Sequence, residues 1–174
     1  ISVGPNNETL GWDWCSGYHD TDSTIIGFAQ NHLSGTGVAD LGEILLMPYL
    51  GEPTFAAVLF DKNDQTVKPG YYSVKLMDDA ITVELTATER VAYHKYSKDS
   101  DLPLLVALDL ETATKSLMFR DGRQESEVSV IDEYTVAGYR MSSEWARNHK
   151  VYYAVRFSHP IAQTHGENPK VAFA

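Results

Sequence analysis

YYSVKLMDDAITVELTA, residues 71–87, alternates apolar and polar side chains in two runs with a polar break between them. Tyr72, Val74 and Leu76 oppose Tyr71, Ser73 and Lys75; then Ile81, Val83, Leu85 and Ala87 oppose Thr82, Glu84, Thr86 and Thr88. A period of two marks a strand with one face in a core and the other in water. Asp78-Asp79 between the runs predicts a hairpin-like turn. Downstream, Arg90 to Tyr96 follows directly and is expected to continue the second strand through a bulge or bend. Leu102 to Leu110 is nearly all apolar, as a strand covered on both faces would be.

Beyond an expected turn at Arg120-Asp121-Gly122-Arg123, the stretch Glu127 to Met141 again alternates, with Val128 and Val130 against polar neighbours. Val151, Tyr153, Val155 and Phe157 predict a further strand ending before Pro160, and Lys170 to Ala174 another. Ser142 to Asn148 is the one candidate helical turn, and residues 161–169 read as an exposed loop. The expected fold is therefore all-β: an antiparallel sandwich of eight or more strands with at most one short helix, filling one domain over residues 1–174.

A chain of 174 residues can bury a proper core, and 43% hydrophobic against 22% charged residues fits a globular domain. The net charge of −10, with no basic run, argues against nucleic acid and anionic membrane as partners. Cys15 is the only cysteine, which excludes an intrachain disulfide. No apolar run approaches the roughly 20 residues of a membrane-spanning helix. The chain opens ISVGPNNETLG without a methionine, so it is expected to be a piece of something longer.

Chemistry is concentrated upstream. GFAQNHLSGTGVADLGEILLMP, residues 27–48, packs Gly27, Gly35, Gly37 and Gly42 around His32, Ser34, Thr36 and Asp40 between two apolar runs. Such a glycine-rich connection either makes a tight turn or carries function. GWDWCSGYHDTD, residues 11–22, gathers Trp12, Trp14, Tyr18, His19, Asp13, Asp20 and Asp22. Aromatic faces beside hydrogen-bonding groups suit a sugar, whose C–H faces stack on rings while its hydroxyls need donors and acceptors. Alternatively, Trp12 and Trp14, two apart, point together into a core. Cys15 lacks triad-like company and reads as a small buried thiol. His19, His32, Asp20, Asp22 and Asp40 have metal-ligating chemistry but no metal-ligand spacing, and Asp20-Thr21-Asp22 lacks the glycine and closing Glu of a calcium loop. Nothing among the 24 acidic residues singles out a catalytic pair.

Five segments, in order, resemble glycoside hydrolase family 92: GWDWCSGYHDTDSTIIGFAQNHLSGTG (Gly11 to Gly37), ILLMP (Ile44 to Pro48), KPGYYSVKL (Lys68 to Leu76), ITVELTATERVAYHKY (Ile81 to Tyr96) and GYRMSSEWARNHKVYYAVRFSHPI (Gly138 to Ile161). The family's loop commonly reads SHTH before LSGTG, whereas this chain has Ala29-Gln30-Asn31-His32, so one histidine of that pair is missing. The resemblance implies an N-terminal supersandwich domain of galactose-mutarotase-like style from a calcium-dependent exo-α-mannosidase. Its parent would be a periplasmic or secreted bacterial enzyme that removes terminal α-linked mannose, α-1,2-linked by preference, with inversion. A following (α/α)6 barrel would be the sandwich's partner, supplying the catalytic carboxylates and most calcium contacts. The fragment alone would then hold no catalytic residue, metal or cofactor, would be inactive, and would expose a face through which it can associate with itself. Carried over residue by residue, Trp14 and Trp12, His19 and Asp22, and His32 and Asp40 would line one wall of a mannose site. A stand-alone carbohydrate-binding module and a purely structural domain packed on the barrel remain the alternatives.

Overall fold

The computed structural model describes residues 22–31, 43–78, 80–111, 125–142 and 149–174. Twelve strands run through them: β1 (Thr24–Ile25), β2 (Leu45–Leu50), β3 (Val58–Lys68), β4 (Tyr71–Leu76), β5 (Ile81–Ala87), β6 (Ala92–Lys98), β7 (Leu104–Asp109), β8 (Glu125–Asp132), β9 (Thr135–Ser142), β10 (His149–Arg156), β11 (Thr164–Glu167) and β12 (Lys170–Phe173). All pairings are antiparallel, in three sheets ordered β1-β3-β4-β5-β6, β11-β12-β7-β2 and β10-β9-β8. The protein is an all-β sandwich, as the alternating runs predict.

The sheets stack as three layers with the four-stranded sheet in the middle. Tyr72, Val74, Leu76, Ile81, Val83 and Leu85 of β4 and β5 pack with Met47, Tyr49, Leu105, Ala107 and Ala172 of that sheet. On its other face Leu108, Leu110, Val171 and Phe173 meet Val136, Val128, Tyr153 and Val155 of the three-stranded sheet. This double coverage is why the stretch containing β7 is apolar at nearly every position. Each large apolar side chain fully buried in these two seams stabilises by roughly 1.5–3 kcal/mol. The outer face of the five-stranded sheet is polar, with Glu84 joined to Lys95 at 2.6 Å and to Tyr71 at 2.9 Å.

Three expectations are corrected. Arg90 to Tyr96 does not prolong β5: a turn closed by Thr88 N–H donating to Val91 O (2.8 Å) reverses the chain, and β6 folds back on β5. Glu127 to Met141 is two strands, β8 and β9, because Asp132 Oδ1 accepts the Tyr134 N–H (2.8 Å) and turns the chain at Glu133-Tyr134. Residues 161–169 are not wholly loop, since β11 pairs with β12 there. β3 escapes an alternation search because its register slips between Phe60 and Gln65, and the polar Asp61 to Asp64 occupies the irregularity. The hairpin-like turn expected at Asp78-Asp79 joins β4 to β5, which pair antiparallel with Leu76 opposite Ile81, Asp79 itself lying outside the described residues. The turn expected at Arg120–Arg123 and residues 143–148 of the expected helical turn also lie outside them; Ser142 itself ends β9.

One short segment ties two layers together. β1 pairs with β3 through Thr24 opposite Leu59 and Ile25 opposite Val58, and three residues later Phe28 pairs with Leu46 of β2. Gly27 makes the crossing at φ +155°, and a Cβ there would sit 2.5 Å from Leu45 Cγ. Only glycine fits both the angle and the space.

Candidate functional site

The chain that crosses between sheets at Gly27 runs on to Asn31, and the glycine-rich stretch between Asn31 and Glu43 follows in sequence. Asn31 Nδ2 donates to Glu43 Oε2 at 2.9 Å, so the two residues that bracket residues 32–42 are held to one another. Glu43 is 1% exposed. Its other oxygen, Oε1, accepts from Ser142 Oγ at 2.9 Å and lies 3.3 Å from His149 Nδ1. Ser142 and His149 are cross-strand partners at the end of the β9–β10 pair and bracket residues 143–148. A single buried carboxylate thus gathers the ends of two separate stretches of sequence.

The surroundings are charged for a sheet interior. Arg140, two residues before Ser142 on β9, is 3% exposed, and Glu43, Glu111 and Asp109 stand close enough to act on it. Burial pulls its guanidinium below the usual arginine range, and those three carboxylates oppose the shift. Asp109 is paired with Lys170 at 2.9 Å, and Glu111 lies 3.9 Å from the same ammonium. The His149 Nδ1 contact is at ion-pair distance without hydrogen-bond geometry, and Asn31 Oδ1 is likewise buried with no hydrogen-bond partner. Glu43 is therefore built as an acceptor and anchor. With both oxygens engaged and no exposed edge, it is unsuited to moving protons to or from a substrate.

Gln30, next to Asn31, fixes the same segment to the five-stranded sheet. Its Nε2 donates to Thr86 O at 3.2 Å, so its Oε1 accepts from His94 Nε2 at 2.9 Å. His94 Nδ1 then accepts from the Tyr96 hydroxyl at 2.7 Å. This chain of bonds sets a neutral Nε2–H imidazole, and burial pushes its pKa down to about 4. Burial also raises Tyr96 above the usual phenol range.

Of the residues singled out in sequence, Asp22 is described: it is buried at 8% exposure just ahead of β1. Trp12, Trp14, His19, His32 and Asp40 lie outside the described residues. Glu43, Asn31, Arg140, Ser142, His149, Gln30 and His94 were not singled out. Asn31 and Gln30 stand in the GFAQNHLSGTG motif beside the candidate His32, and Glu43 follows the last glycine of the same stretch. A carboxylate directly ahead of an apolar strand was the available signal.

The family model of the glycosyl hydrolase family 92 N-terminal domain matches residues 1–172. Among solved structures, the family GH92 alpha-mannosidase BT3965 from Bacteroides thetaiotaomicron is similar at TM-score 0.77 and 22% identity, over 97% of this chain and 26% of its own. The GH92 family glycosyl hydrolase ccman5 is similar at TM-score 0.63 and 24% identity, over 91% of this chain and 25% of its own. The family GH92 inverting mannosidase BT2199 from Bacteroides thetaiotaomicron VPI-5482 is similar at TM-score 0.66 and 20% identity, over 97% and 24%. At such identities the likeness is one of fold. This chain spans about a quarter of the length of those proteins. Among curated proteins a search found no match.

Proposed function

The chain belongs to the N-terminal domains of glycosyl hydrolase family 92, and from that premise we propose that it forms one wall of a mannose site in a glycoside hydrolase. The parent enzyme removes terminal α-linked mannose, α-1,2-linked by preference, by inverting hydrolysis, in the periplasm or outside the cell. The catalytic carboxylates come from an (α/α)6 barrel that follows this domain. Trp14, Trp12, His19, Asp22, His32 and Asp40 contact the sugar: rings stack on its C–H faces while the polar groups exchange hydrogen bonds with its hydroxyls.

The observation that supports this reading is the convergence on Glu43. The glycine-rich stretch with His32 and Asp40 is bracketed by Asn31 and the buried acid Glu43, which are bonded to one another, and the same acid contacts Ser142 and His149. A binding wall requires loops placed by a rigid frame, and the layered sheets supply one. Calcium belongs to the reading through the family alone. Among the described residues no three His, Cys, Asp or Glu side chains are grouped to hold a metal ion, so no step here is routed through it.

The test is mannose release from terminal α-mannosides by the full-length parent supplied with calcium, compared with other glycosides. Cleavage of a different sugar class with no mannose released overturns the reading. In that parent, Trp14→Ala is expected to raise KM well beyond any change in stability. A loss of stability with KM unchanged makes this a packing domain instead. Heat on titrating the isolated chain with mannobiose would mark a binding module that works alone.

A further inference from the structure

We propose that the outer face of the three-stranded sheet carries a shallow trough that binds one or two residues of a neutral glycan. This goes beyond the mannose-wall reading and does not depend on it: none of the residues involved is assigned to that wall. The register builds the trough row by row. Glu127, Tyr139 and Tyr152 stand side by side across β8, β9 and β10; Ser129, Ala137 and Ala154 form the next row on the same face; Thr135 and Arg156 form the one after. The opposite face of the sheet buries Val128, Val136, Tyr153 and Val155, so these rows point away from the core, and Tyr152 is 72% exposed. Small side chains between two rows of larger ones leave a low floor. Strand geometry makes that floor roughly 10 Å long across the three strands, with the flanking rows roughly 13 Å apart along them.

The groups around the floor are held in place. Lys150 Nζ lies 3.5 Å from the centroid of the Tyr139 ring, and Lys150 belongs to the row on the far side from the alanines. The ammonium takes one face of that ring and turns the other toward Ala137 and Ala154. Tyr152, its centroid 6.0 Å from that of Tyr139, carries the aromatic wall on to β10. Ser129 Oγ donates to Glu127 Oε1 at 3.1 Å and draws the carboxylate toward the floor. At the opposite corner Arg156 Nη1 donates to Thr135 Oγ1 at 3.1 Å, with the guanidinium 5.5 Å from the Tyr134 ring centroid. An acceptor, a multiple N–H donor and a ring face thus surround one small floor. A sugar has the matching chemistry, with a C–H face to stack and hydroxyls that both donate and accept. Charge narrows the class: on this face Glu125 and Glu127 balance Lys150 and Arg156, and a chain of net charge −10 repels polyanions. Size narrows it further, because a floor on the order of 100 Å² falls far short of the roughly 800 Å² per partner that a stable protein interface buries. A ring fixed before binding loses little freedom when a sugar stacks on it.

The experiment runs the full-length parent in cold native gels containing soluble α-mannan, with β-glucan and xylan gels alongside, and measures Tm of every variant. Tyr152→Ala removes the exposed ring, and Ala154→Gln fills the floor without removing any contact group. The parent is expected to be retarded by α-mannan, and each variant to bind it roughly 3- to 10-fold more weakly, the scale of one lost ring stack. Lys95→Ala, on the outer face of the five-stranded sheet, should bind within about twofold of the parent. Should Tyr152→Ala not fold, Ala154→Gln decides alone. Retardation of the folded trough variants within about twofold of the parent's overturns the proposal, as does a parent that none of the three polysaccharides retards. A lowered Tm in Tyr152→Ala with retardation unchanged makes the trough a packing face for the rest of the parent, and the proposal fails. If β-glucan or xylan retards the parent in place of α-mannan and the variants lose that binding, the trough stands; the mannose reading is decided separately, by which sugar the parent releases.

Discussion

Replacing His94 with Gln should flatten the acid limb of this protein's stability curve. The imidazole is neutral in the folded protein, donating to Gln30 and accepting from Tyr96, and burial holds its pKa at about 4 against an ordinary 6.5. The depressed value favours the neutral form in the folded state. That stabilisation is complete above the unfolded pKa and is lost as pH falls from about 6.5 toward 4. The Tyr96 hydroxyl can turn to accept a second N–H, so the cost of protonation is desolvation of the cation, not a lost bond. Between roughly pH 7.5 and pH 5 the two pKa values give a loss of about 1.4 pK units, or ~2 kcal/mol, rising toward ~3.4 kcal/mol below both. The assay is urea unfolding of the protein and of its His94→Gln variant across that range. Other carboxylates and histidines titrate in both, so the difference between the two curves isolates His94. Curves that fall in parallel would refute the neutral buried imidazole.

Other substitutions test the frame itself. Leu76→Ala empties a side chain with 0% exposure in the seam between the five- and four-stranded sheets and should cost ~2–5 kcal/mol in denaturant unfolding. Gly138→Ala drives a methyl into the Glu127 carbonyl on the neighbouring strand and toward the Tyr153 hydroxyl 2.8 Å away, so a loss of at least ~2 kcal/mol is expected from the same assay. Lys95→Ala breaks the 2.6 Å contact with Glu84 on a face where the lysine side chain is 58% exposed, and Tm should change by no more than about 2 °C.

The sandwich was legible because its clearest strands present one face to a core and the other to water. Tyr72, Val74, Leu76 and Ile81, Val83, Leu85 are buried in the order the alternation dictates. The doubly covered β7 announced itself by losing its alternation. What failed was punctuation. Turns made by Thr88 to Val91 and by Asp132 to Tyr134 contain neither Gly nor Pro, so periodicity ran through them. β3 was hidden for the opposite reason, because a register slip put Asp61, Asn63 and Asp64 inside a strand.

The sequence offers a candidate stretch, but it does not show the network around Glu43. Composition finds residues that could touch a ligand, since aromatics, histidines and glycines cluster in sequence. A residue that holds others in place has no such signature: Glu43, Ser142 and His149 meet only after β2, β9 and β10 have folded. Burying a carboxylate is costly unless it is paired and hydrogen-bonded. A sequence that keeps Glu43 at 1% exposure, ahead of a strand otherwise rich in leucine and methionine, must hold it by such contacts. The same holds for Gln30, whose two bonds tie the crossing segment to β5 and to β6. Gln30 and Asn31 thus clamp the start of residues 32–42 to two layers from adjacent positions.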